Sequence, residues 1–298
     1  MFVVTYRKYF YIFAILLTAA ALAAVSIWGL NLGIDFKGGS IIEIEYEGVR
    51  PEQTVLATSL APLALNESIR PTGEKGYIIR MKTIDQAEKM SLTQTLGTFG
   101  TSTEKRFDSI GPLLGSEALR KSLVSIVLVI IAIVLFIAYA FRKVSEPVSS
   151  WKYGIVAIVA LLHDVIVPIG VFAVLGHFAG YEIDTLFVTA LLVVLGFSIH
   201  DTIVVFDRVR ENLKHAGSKK PFSEIVGESI SQTFTRSINT SLTTLLALVV
   251  LYFVGGESTQ HFSLALIIGI ITGTYSSIFL ASPLLVTIQK WQEKKGKK

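Results

Sequence analysis

Long apolar runs separated by short polar segments dominate the sequence. A membrane-spanning helix needs about 20 predominantly apolar residues to cross the hydrocarbon core. Runs of about this length predict six spanning helices, at residues 9–30, 122–141, 151–175, 185–206, 238–254 and 262–288. Pro283 lies inside the last and longest run, where it predicts a kink or a frayed end. The pattern is that of a polytopic α-helical membrane protein.

The one long polar region, residues 31–121, lies between the first two runs. In its first part Ile42, Ile44 and Tyr46 alternate with glutamates, which is the period of a half-buried strand. The same reasoning predicts a helix over 51–60, strands at 67–71 and 77–82, a helix after Asp85 up to about residue 96, and a strand at 102–110. The order β-α-β-β-α-β predicts a small ferredoxin-like α+β domain.

These elements divide the chain into four parts. Residues 1–30 contain the N-terminus and the first spanning helix, 31–121 the α+β domain, 122–289 the other five spanning helices with a polar loop at 207–237, and 290–298 a basic tail. The first run exceeds the roughly 7–15 apolar residues of a signal peptide and is followed by a poor cleavage site. We therefore expect it to be a retained membrane helix.

Basic residues indicate the orientation of the helices. The short loops at 177–184 and 255–261 contain no Lys or Arg. The opposite loops and the termini hold Arg7, Lys8, Arg142, Lys143, Lys152, Arg208, Arg210, Lys214, Lys219, Lys220, Arg236, Lys290, Lys294, Lys295, Lys297 and Lys298. Because basic residues accumulate on the cytoplasmic side, we expect both termini in the cytoplasm and residues 31–121 outside.

Composition supports the membrane assignment and narrows the chemistry. The chain is 51% hydrophobic and 17% charged, whereas soluble domains have about 25% charged residues. It contains no Cys, which excludes disulfides, thiolate metal sites and Cys nucleophiles. The α+β domain shows no His cluster and no nucleophile–base pair. We expect no enzyme activity, no metal, no cofactor and no nucleic-acid partner.

The glycine-rich segment after the first helix is best explained as a turn. Gly33, Gly38 and Gly39 permit positive φ angles there, and we interpret them, with Asp35, as an external hinge. The segment superficially resembles a phosphate-binding loop. However, it lacks the Gly-Lys-Ser/Thr that would hold phosphate and Mg²⁺, so nucleotide binding is not expected.

Asp201 lies in a run that is otherwise apolar enough to cross the bilayer. A carboxylate inside a spanning helix costs roughly 3 kcal/mol on insertion scales, and such residues usually face a bundle interior or a wet cavity. Asp201 is therefore a candidate relay for a proton or a sodium ion. The alternative is a static pair with an Arg or a hydroxyl that orders the bundle.

Other polar residues accompany Asp201. His163 and Asp164 lie mid-way along the third helix, and Arg236 opens a hydroxyl-rich start to the fifth. Arg236 is equally well explained as a positive-inside anchor, and His163 as a satisfied core histidine. The candidate ion path comprises Asp201, Arg236, Asp164, Ser198, His200 and Thr240.

Two further patterns concern the helix surfaces. Four charged residues extend the fourth helix into the cytoplasm, namely Asp207, Arg208, Arg210 and Glu211. They form either a solvated helix face or a network at the membrane edge that gates access to the ion path. Gly269 and Gly273 form a Gly-x-x-x-Gly step in the sixth helix, which is compatible with close helix contact but specifies no partner.

Residues 32–39 and 196–212 together resemble the SecF branch of the SecD/SecF family, which belongs to the RND superfamily. Residues 161–165 and 235–241 fit the same family, and the resemblance covers the whole chain. His200 stands where related sequences often have Asn. By this resemblance Asp201 matches the family's ion-path aspartate and Arg236 a basic residue beside it.

The resemblance implies a heteromer with SecD that associates with the SecYEG channel and YajC in the bacterial plasma membrane. It implies use of a proton or sodium gradient to draw polypeptide outward late in export, with indirect contact between this chain and the polypeptide. In that arrangement an exposed surface formed by helices four to six would contact the partner. Rocking of the helices would be coupled to the external domain through residues 31–39 and 111–121. Two alternatives stay open: an RND-type exporter subunit for small molecules or lipids, and a structural subunit that conducts no ions.

Overall fold

A computed structural model of the chain describes residues 2–142, 150–216 and 220–296. Four basic residues of the orientation argument, Lys143, Lys219, Lys297 and Lys298, lie outside the described residues. The chain forms two compact units. One comprises Met1–Asn31 and Val124–Lys298, and the other Leu32–Leu123.

The chain begins with a short helix α1 (Phe2–Thr5), followed by the apolar helix α2 (Arg7–Trp28). The next unit opens with a helical turn, α3 (Ile34–Lys37), that the sequence did not predict. It continues with β1 (Gly39–Tyr46), α4 (Gln53–Leu60), β2 (Ser68–Thr72), β3 (Gly76–Met81), α5 (Gln86–Gly97) and β4 (Ser102–Ile110). The predicted β-α-β-β-α-β order is confirmed, with boundaries shifted by a residue or two.

The four strands form one antiparallel sheet in the order β2-β3-β1-β4. Ile42 on β1 pairs with Ile79 on β3 and Phe107 on β4. The predicted inward face of β1 packs against Leu56 and Leu60 of α4 and Leu92 and Leu96 of α5 in a single core. Burial of this apolar face is what selects the register of the strands.

Asp85 begins α5 as the sequence predicts. Its Oδ1 accepts a hydrogen bond from the Glu88 backbone N–H at 2.8 Å, and Glu88 Oε2 accepts one from the Asp85 backbone N–H at 3.1 Å. This reciprocal capping box satisfies two backbone donors that the first turn of a helix leaves without partners.

The glycine-rich segment is packed tightly against the start of α6 (Pro112–Ala140). Gly38 has φ 77°, and a Cβ placed there would lie 2.7 Å from the Cα of Pro112. A Cβ on Gly115 would lie 2.9 Å from the backbone N of Gly38. Glycine is therefore required here by a backbone-to-backbone contact as well as by a positive φ. The hinge role of Gly33, Asp35, Gly38 and Gly39 stays a prediction.

The remaining membrane helices follow α6. They are α7 (Ser150–Ala179), α8 (Thr185–Ala216), α9 (Phe222–Val254), α10 (Glu257–Tyr275) and α11 (Ser282–Gly296). Within the described part of the chain, six helical segments are long and apolar enough to cross a membrane, as predicted. These are α2, α6, α7, α8, α9 and the continuous segment Ser258–Lys294.

Helix α9 begins at Phe222, much earlier than the predicted residue 238. Its first turns are amphipathic and bury Phe222, Ile225, Val226 and Ile230 on one side. A search for continuous apolar runs overlooks such a segment because its other side is polar, whereas a 3.6-residue period detects it.

A π-helical segment, Ser276–Ala281, joins α10 to α11 immediately before Pro283. Proline lacks an N–H and its ring clashes with the carbonyl four residues earlier in an α-helix. A wider π turn relieves that clash, so the kink predicted at Pro283 takes the form of a π segment.

Helices α7, α8 and α10–α11 form the buried centre of the membrane unit, whereas α2, α6 and α9 expose most of their side chains. The Gly-x-x-x-Gly step lies at a close contact between α10 and α8. A Cβ on Gly269 would lie 2.1 Å from Val194 Cγ2, and one on Gly273 would lie 2.9 Å from Ser198 Cβ. The predicted close helix contact is confirmed, and the structure identifies α8 as its partner.

Candidate functional site

Asp201 faces the interior of the membrane unit and is 3% exposed. It lies on the buried side of α8, which repeats with the helical period through Val194, Leu195, Ser198, Ile199, Asp201, Thr202, Val205, Phe206 and Val209. The apolar residues on this side of α8 pack into the interior of the bundle. The polar residues that share the side are therefore buried as well.

The carboxylate of Asp201 is incompletely hydrogen-bonded. Its Oδ2 is buried and has no hydrogen-bond partner among the described residues, and the same holds for Ser237 Oγ on α9. The Ser237 hydroxyl is close enough to act on the carboxyl as a weak hydrogen-bonding group, although it forms no hydrogen bond of normal geometry with it, and the charges of His200 and Arg236 act on the carboxyl electrostatically. A buried acceptor without a donor is costly in a bilayer, where lipid provides no hydrogen bonds. The arrangement therefore suits a proton, a water molecule or a small cation at Asp201.

The hydroxyl-rich start of the fifth helix contributes less to this site than the sequence suggested. Arg236 is exposed, and Thr240 donates a hydrogen bond to the Arg236 carbonyl at 3.0 Å. Thr243 and Thr244 likewise donate to carbonyls of their own helix. Only Ser237 and Ser241 of this run are buried, and Ser241 Oγ lies 2.6 Å from Thr274 Oγ1 on α10.

His200 precedes Asp201 but is exposed, so its ring lies on the outer surface of α8. Its influence on Asp201 is electrostatic and the structure shows no hydrogen bond between the two side chains in the part of the chain it describes. The predicted ion-path residues are thus divided between the interior of the bundle and its surface.

Asp164 on α7 is fully buried and, unlike Asp201, fully hydrogen-bonded. Its Oδ2 accepts hydrogen bonds from Ser198 Oγ at 2.5 Å and from Ser276 Oγ at 2.7 Å. Its Oδ1 lies 2.9 Å from Nδ1 of His163. The other ring nitrogen of His163, Nε2, is buried without a partner among the described residues.

The sequence reasoning missed the contribution of the π segment. Ser277 Oγ lies 2.8 Å from Thr202 Oγ1 and donates to the Ser198 carbonyl at 3.1 Å. Ser276, Ser277 and Ser282 are all fully buried. The sequence did contain a signal for this contribution, because several serines precede Pro283 within an otherwise apolar run.

The predicted membrane-edge set forms pairs along α8. Arg208 Nη1 lies 2.5 Å from Glu211 Oε2, and Arg210 pairs with Asp207. The set also reaches α9, because Arg208 Nε donates to Gln232 Oε1 at 2.6 Å. Asn212, which the sequence reasoning omitted, donates to Ser229 on the same helix at 2.8 Å. No cluster of three His, Asp or Glu side chains suited to a metal occurs in the described ranges.

Comparison with known families agrees with this architecture. Residues 81–291 match the family profile described as "Protein export membrane protein SecD/SecF, C-terminal". Residues 29–48, which include the glycine-rich segment, match the SecD/SecF GG motif. The chain belongs to the SecD/SecF family. Asp201, Asp164 and the hydroxyl network all lie within the first of these matches.

Family members named "Protein translocase subunit SecF" resemble the chain over almost their entire length. The protein from Thermobaculum terrenum is 46% identical, and the match covers 98% of this chain and 94% of the relative. The protein from Sebaldella termitidis is 36% identical with the same coverage. The "Protein translocase subunit SecDF" of Bacillus subtilis is 32% identical, but this chain spans only 38% of it.

Solved structures of SecDF show the same fold. The crystal structure of SecDF from Thermus thermophilus, described as a translocon-associated membrane protein, matches with a TM-score of 0.83 and 31% identity. The match covers 96% of this chain and 38% of that one. A SecDF structure in a super-membrane-facing form matches with a TM-score of 0.66 and 30% identity. The chain is therefore a multi-pass membrane protein with the fold of one part of SecDF.

Proposed function

We propose that this chain is a SecF-type subunit that works with a SecD-type partner to drive late steps of protein export. The relatives named SecF match it end to end, whereas it spans under two-fifths of the SecDF relative. The rest of SecDF corresponds to what a separate SecD chain would supply. In the same proposal the pair associates with the SecYEG channel and YajC. This chain contacts the translocating polypeptide only indirectly and hydrolyses no nucleotide.

The orientation follows from the charges of the loops. Both termini and the polar ends of α8 and α9 lie on the basic side of the chain, and basic loops accumulate in the cytoplasm, which supports a cytoplasmic location for them. The α+β domain then lies outside the plasma membrane. Residues 207–216 continue α8 beyond its apolar part, so the Arg208–Glu211 and Arg208–Gln232 contacts lie near the cytoplasmic surface.

One observation supports the use of an ion gradient: the Asp201 carboxylate is buried, and its Oδ2 has no donor in the part of the chain that the structure describes. Intramembrane carboxylates are rare and usually serve ion pathways. A carboxylate with a purely structural role would be expected to accept a hydrogen bond at each of its oxygens. Ser237 on the facing helix provides a second buried oxygen that forms no hydrogen bond of normal geometry with the described residues, and the positive charge of Arg236 acts on the Asp201 carboxyl. A proton or sodium ion passing Asp201 would change the charge balance between α8 and α9.

The decisive experiment substitutes Asp201→Asn in inverted membrane vesicles that contain the whole translocation complex. A precursor is arrested half-way, and its completion is followed under an imposed proton or sodium gradient. Asp207→Asn is the matched control, because that carboxylate lies on the same helix but is exposed and paired with Arg210. Co-purification with the SecD-type partner establishes that each variant assembles.

We expect Asp201→Asn to lose the gradient-dependent part of completion while Asp207→Asn retains it. Running the proton and sodium gradients separately identifies the ion. Gradient-dependent completion by an assembled Asp201→Asn complex would refute the ion-path role and favour a subunit with a structural function.

A further inference from the structure

Two consecutive serines of the π segment hold the turn of α8 that carries Asp201. Ser276 Oγ donates to Asp164 Oδ2, which also accepts from Ser198 Oγ. Ser277 Oγ donates to the Ser198 carbonyl at 3.1 Å and lies 2.8 Å from Thr202 Oγ1. Asp201 lies between Ser198 and Thr202 in the sequence, so both ends of its turn are attached to the π segment.

The hydroxyl groups of this network can be assigned as donors or acceptors from the groups they contact. Each hydroxyl has a single proton to donate but can also accept. Because Ser277 donates to the Ser198 carbonyl, Thr202 must donate to Ser277. Ser198 Oγ donates to Asp164 Oδ2, and Ser276 Oγ donates to the same oxygen at 2.7 Å while also lying 3.1 Å from the Gly273 carbonyl. Asp164 is thus the acceptor on which the donors from α8 and the π segment converge.

The geometry of the sixth span makes these contacts possible. Successive residues of a helix point in directions about 100° apart, so the adjacent Ser276 and Ser277 reach different helices, the first α7 and the second α8. Ser276 and Ser277 are both fully buried against α7 and α8. Gly273, one turn earlier, leaves room for Ser198, since a Cβ there would lie 2.9 Å from Ser198 Cβ.

We propose that Asp164 is a positioning residue that fixes the place of Asp201 by anchoring Ser198 and Ser276, and that it does not itself carry the ion. This inference rests on the proposed function of Asp201. The distinction follows from hydrogen bonding: both oxygens of Asp164 have partners, whereas Oδ2 of Asp201 has none in the described ranges. A proton or cation at Asp164 would have to displace donors that are already in place.

The proposal makes the charge of Asp164 dispensable and its acceptor atoms essential. In Asp164→Asn the amide oxygen can still accept from Ser198 and Ser276, and the amide NH₂ can donate to Nδ1 of His163 in its other tautomer. In Asp164→Ala the Ser198 hydroxyl loses its acceptor in a buried site, which is the costly case, whereas Ser276 keeps only the longer contact with the Gly273 carbonyl at 3.1 Å. The two variants therefore separate an anchor from an ion carrier.

The first measurement is gradient-driven completion of an arrested precursor in the assembled complex. We expect Asp164→Asn to stay within about threefold of the wild type and Asp164→Ala to fall by about tenfold or more. Ser198→Ala and Ser276→Ala each remove one of the two donors and should fall between these values. They also keep the test possible if Asp164→Ala fails to assemble. An assembled Asp164→Asn complex as inactive as Asp201→Asn would overturn the proposal, because the charge itself would then be required.

The second measurement does not depend on transport. A hydrophobic carbodiimide labels protonated carboxyl groups in membranes, and mass spectrometry of the purified complex locates the label. We expect Asp201 to be labelled at the wild-type rate in Asp164→Asn and at a rate several-fold different in Asp164→Ala. Equal rates in all three proteins would show that Asp164 does not position Asp201. If instead Asp201→Asn retains gradient-driven completion, the proposed function fails, and the labelling result still decides the positioning role.

Discussion

Asp164 and Asp201 are buried on adjacent helices of the membrane unit, and of the two only Asp164 has, among the described residues, a hydrogen-bond partner for each carboxylate oxygen. Ser198 links them, because its hydroxyl binds Asp164 while its backbone lies one turn before Asp201 on α8. Two carboxylates that look alike in the sequence therefore differ in what they can do. One is satisfied by protein donors, and the other has an oxygen available to a ligand.

Ser237 is predicted to matter more than Thr240 for transport, although both belong to the same hydroxyl-rich run in the middle of α9. Ser237 is buried near Asp201, whereas the Thr240 hydroxyl is committed to the carbonyl of Arg236. Ser237→Ala should lower gradient-driven completion by several-fold, and Thr240→Ala should leave it near the wild-type level. Both rates are measured in the same vesicle assay. Equal losses in the two variants would contradict the assignment of Ser237 to the site.

Gly269→Ala should separate α10 from α8. Its Cβ would lie 2.1 Å from Val194 Cγ2, and overpacking of this kind typically costs about 1–3 kcal/mol. Val194→Ala removes the obstructing methyl groups, so the double variant should recover part of the lost stability. Thermal denaturation of the detergent-solubilised protein measures all three variants.

The control for that series is Gly196→Ala on α8, where a Cβ would meet nothing within 4 Å. It should be neutral or slightly stabilising, because alanine favours a helix more than glycine does. Strictly additive effects of Gly269→Ala and Val194→Ala would be evidence against the predicted contact.

The junction between the glycine-rich segment and α6 should tolerate no side chain. Gly38→Ala combines a positive φ with a Cβ 2.7 Å from Pro112, and Gly115→Ala places a Cβ 2.9 Å from the Gly38 nitrogen. Both should lower the denaturation midpoint of the protein, the first more than the second, since only Gly38 also adds backbone strain. Gly97→Ala at the end of α5, where a Cβ would meet nothing within 4 Å, is the control. A Gly115→Ala protein as stable as this control would mean that the junction can open to admit a methyl group.

The capping box of α5 predicts a local stability change. Asp85→Ala removes the side-chain acceptor for the Glu88 N–H and should destabilise the helix by about 1 kcal/mol. Hydrogen exchange of the α5 amides should accelerate about fivefold, by the usual conversion of that free energy. Ser91→Ala, an exposed position in the same helix, should change little. An effect spread over the whole domain would indicate a role beyond the cap.

Glu88 adds a pH dependence to the same helix. Its hydrogen bond with Lys82, followed by the bond from the Asp85 backbone N–H, lowers the pKa of its carboxyl from the usual 4.5. A carboxyl with a lowered folded-state pKa stabilises the fold above its unfolded pKa, and this contribution is lost as the pH falls through the folded-state value. Protection of the α5 amides, corrected for the intrinsic exchange rate, should therefore decrease between about pH 6 and about pH 3.

Glu88→Gln should weaken that pH dependence without abolishing the cap, because the Gln side chain can still accept from the Asp85 N–H. An unchanged pH profile in this variant would assign the effect to other carboxylates of the domain.

The sequence by itself determined the class of protein and most of its elements. Six apolar runs predict six spanning helices because the thickness of the bilayer sets the length of a helix, and that relation involves no tertiary contact. The alternation through Ile42, Ile44 and Tyr46 predicts β1 for the same kind of local reason, since a strand turns each successive side chain to the opposite face. Asp201 also stands out from the sequence alone, because a carboxylate in an apolar run is rare.

Only the tertiary structure decided what each polar residue contacts. Asp164 and Ser276 are 112 positions apart in the chain, and their hydrogen bond exists because α7 and the π segment pack together. The local sequence around Ser276 indicates a proline-induced irregularity but not that its hydroxyl reaches α7. Likewise Ser237 and Thr240 belong to the same run of hydroxyl residues, and their different surroundings follow from which side of α9 faces α8. A hydrogen bond requires two groups at about 3 Å, and for groups on different helices that distance is set by packing rather than by composition.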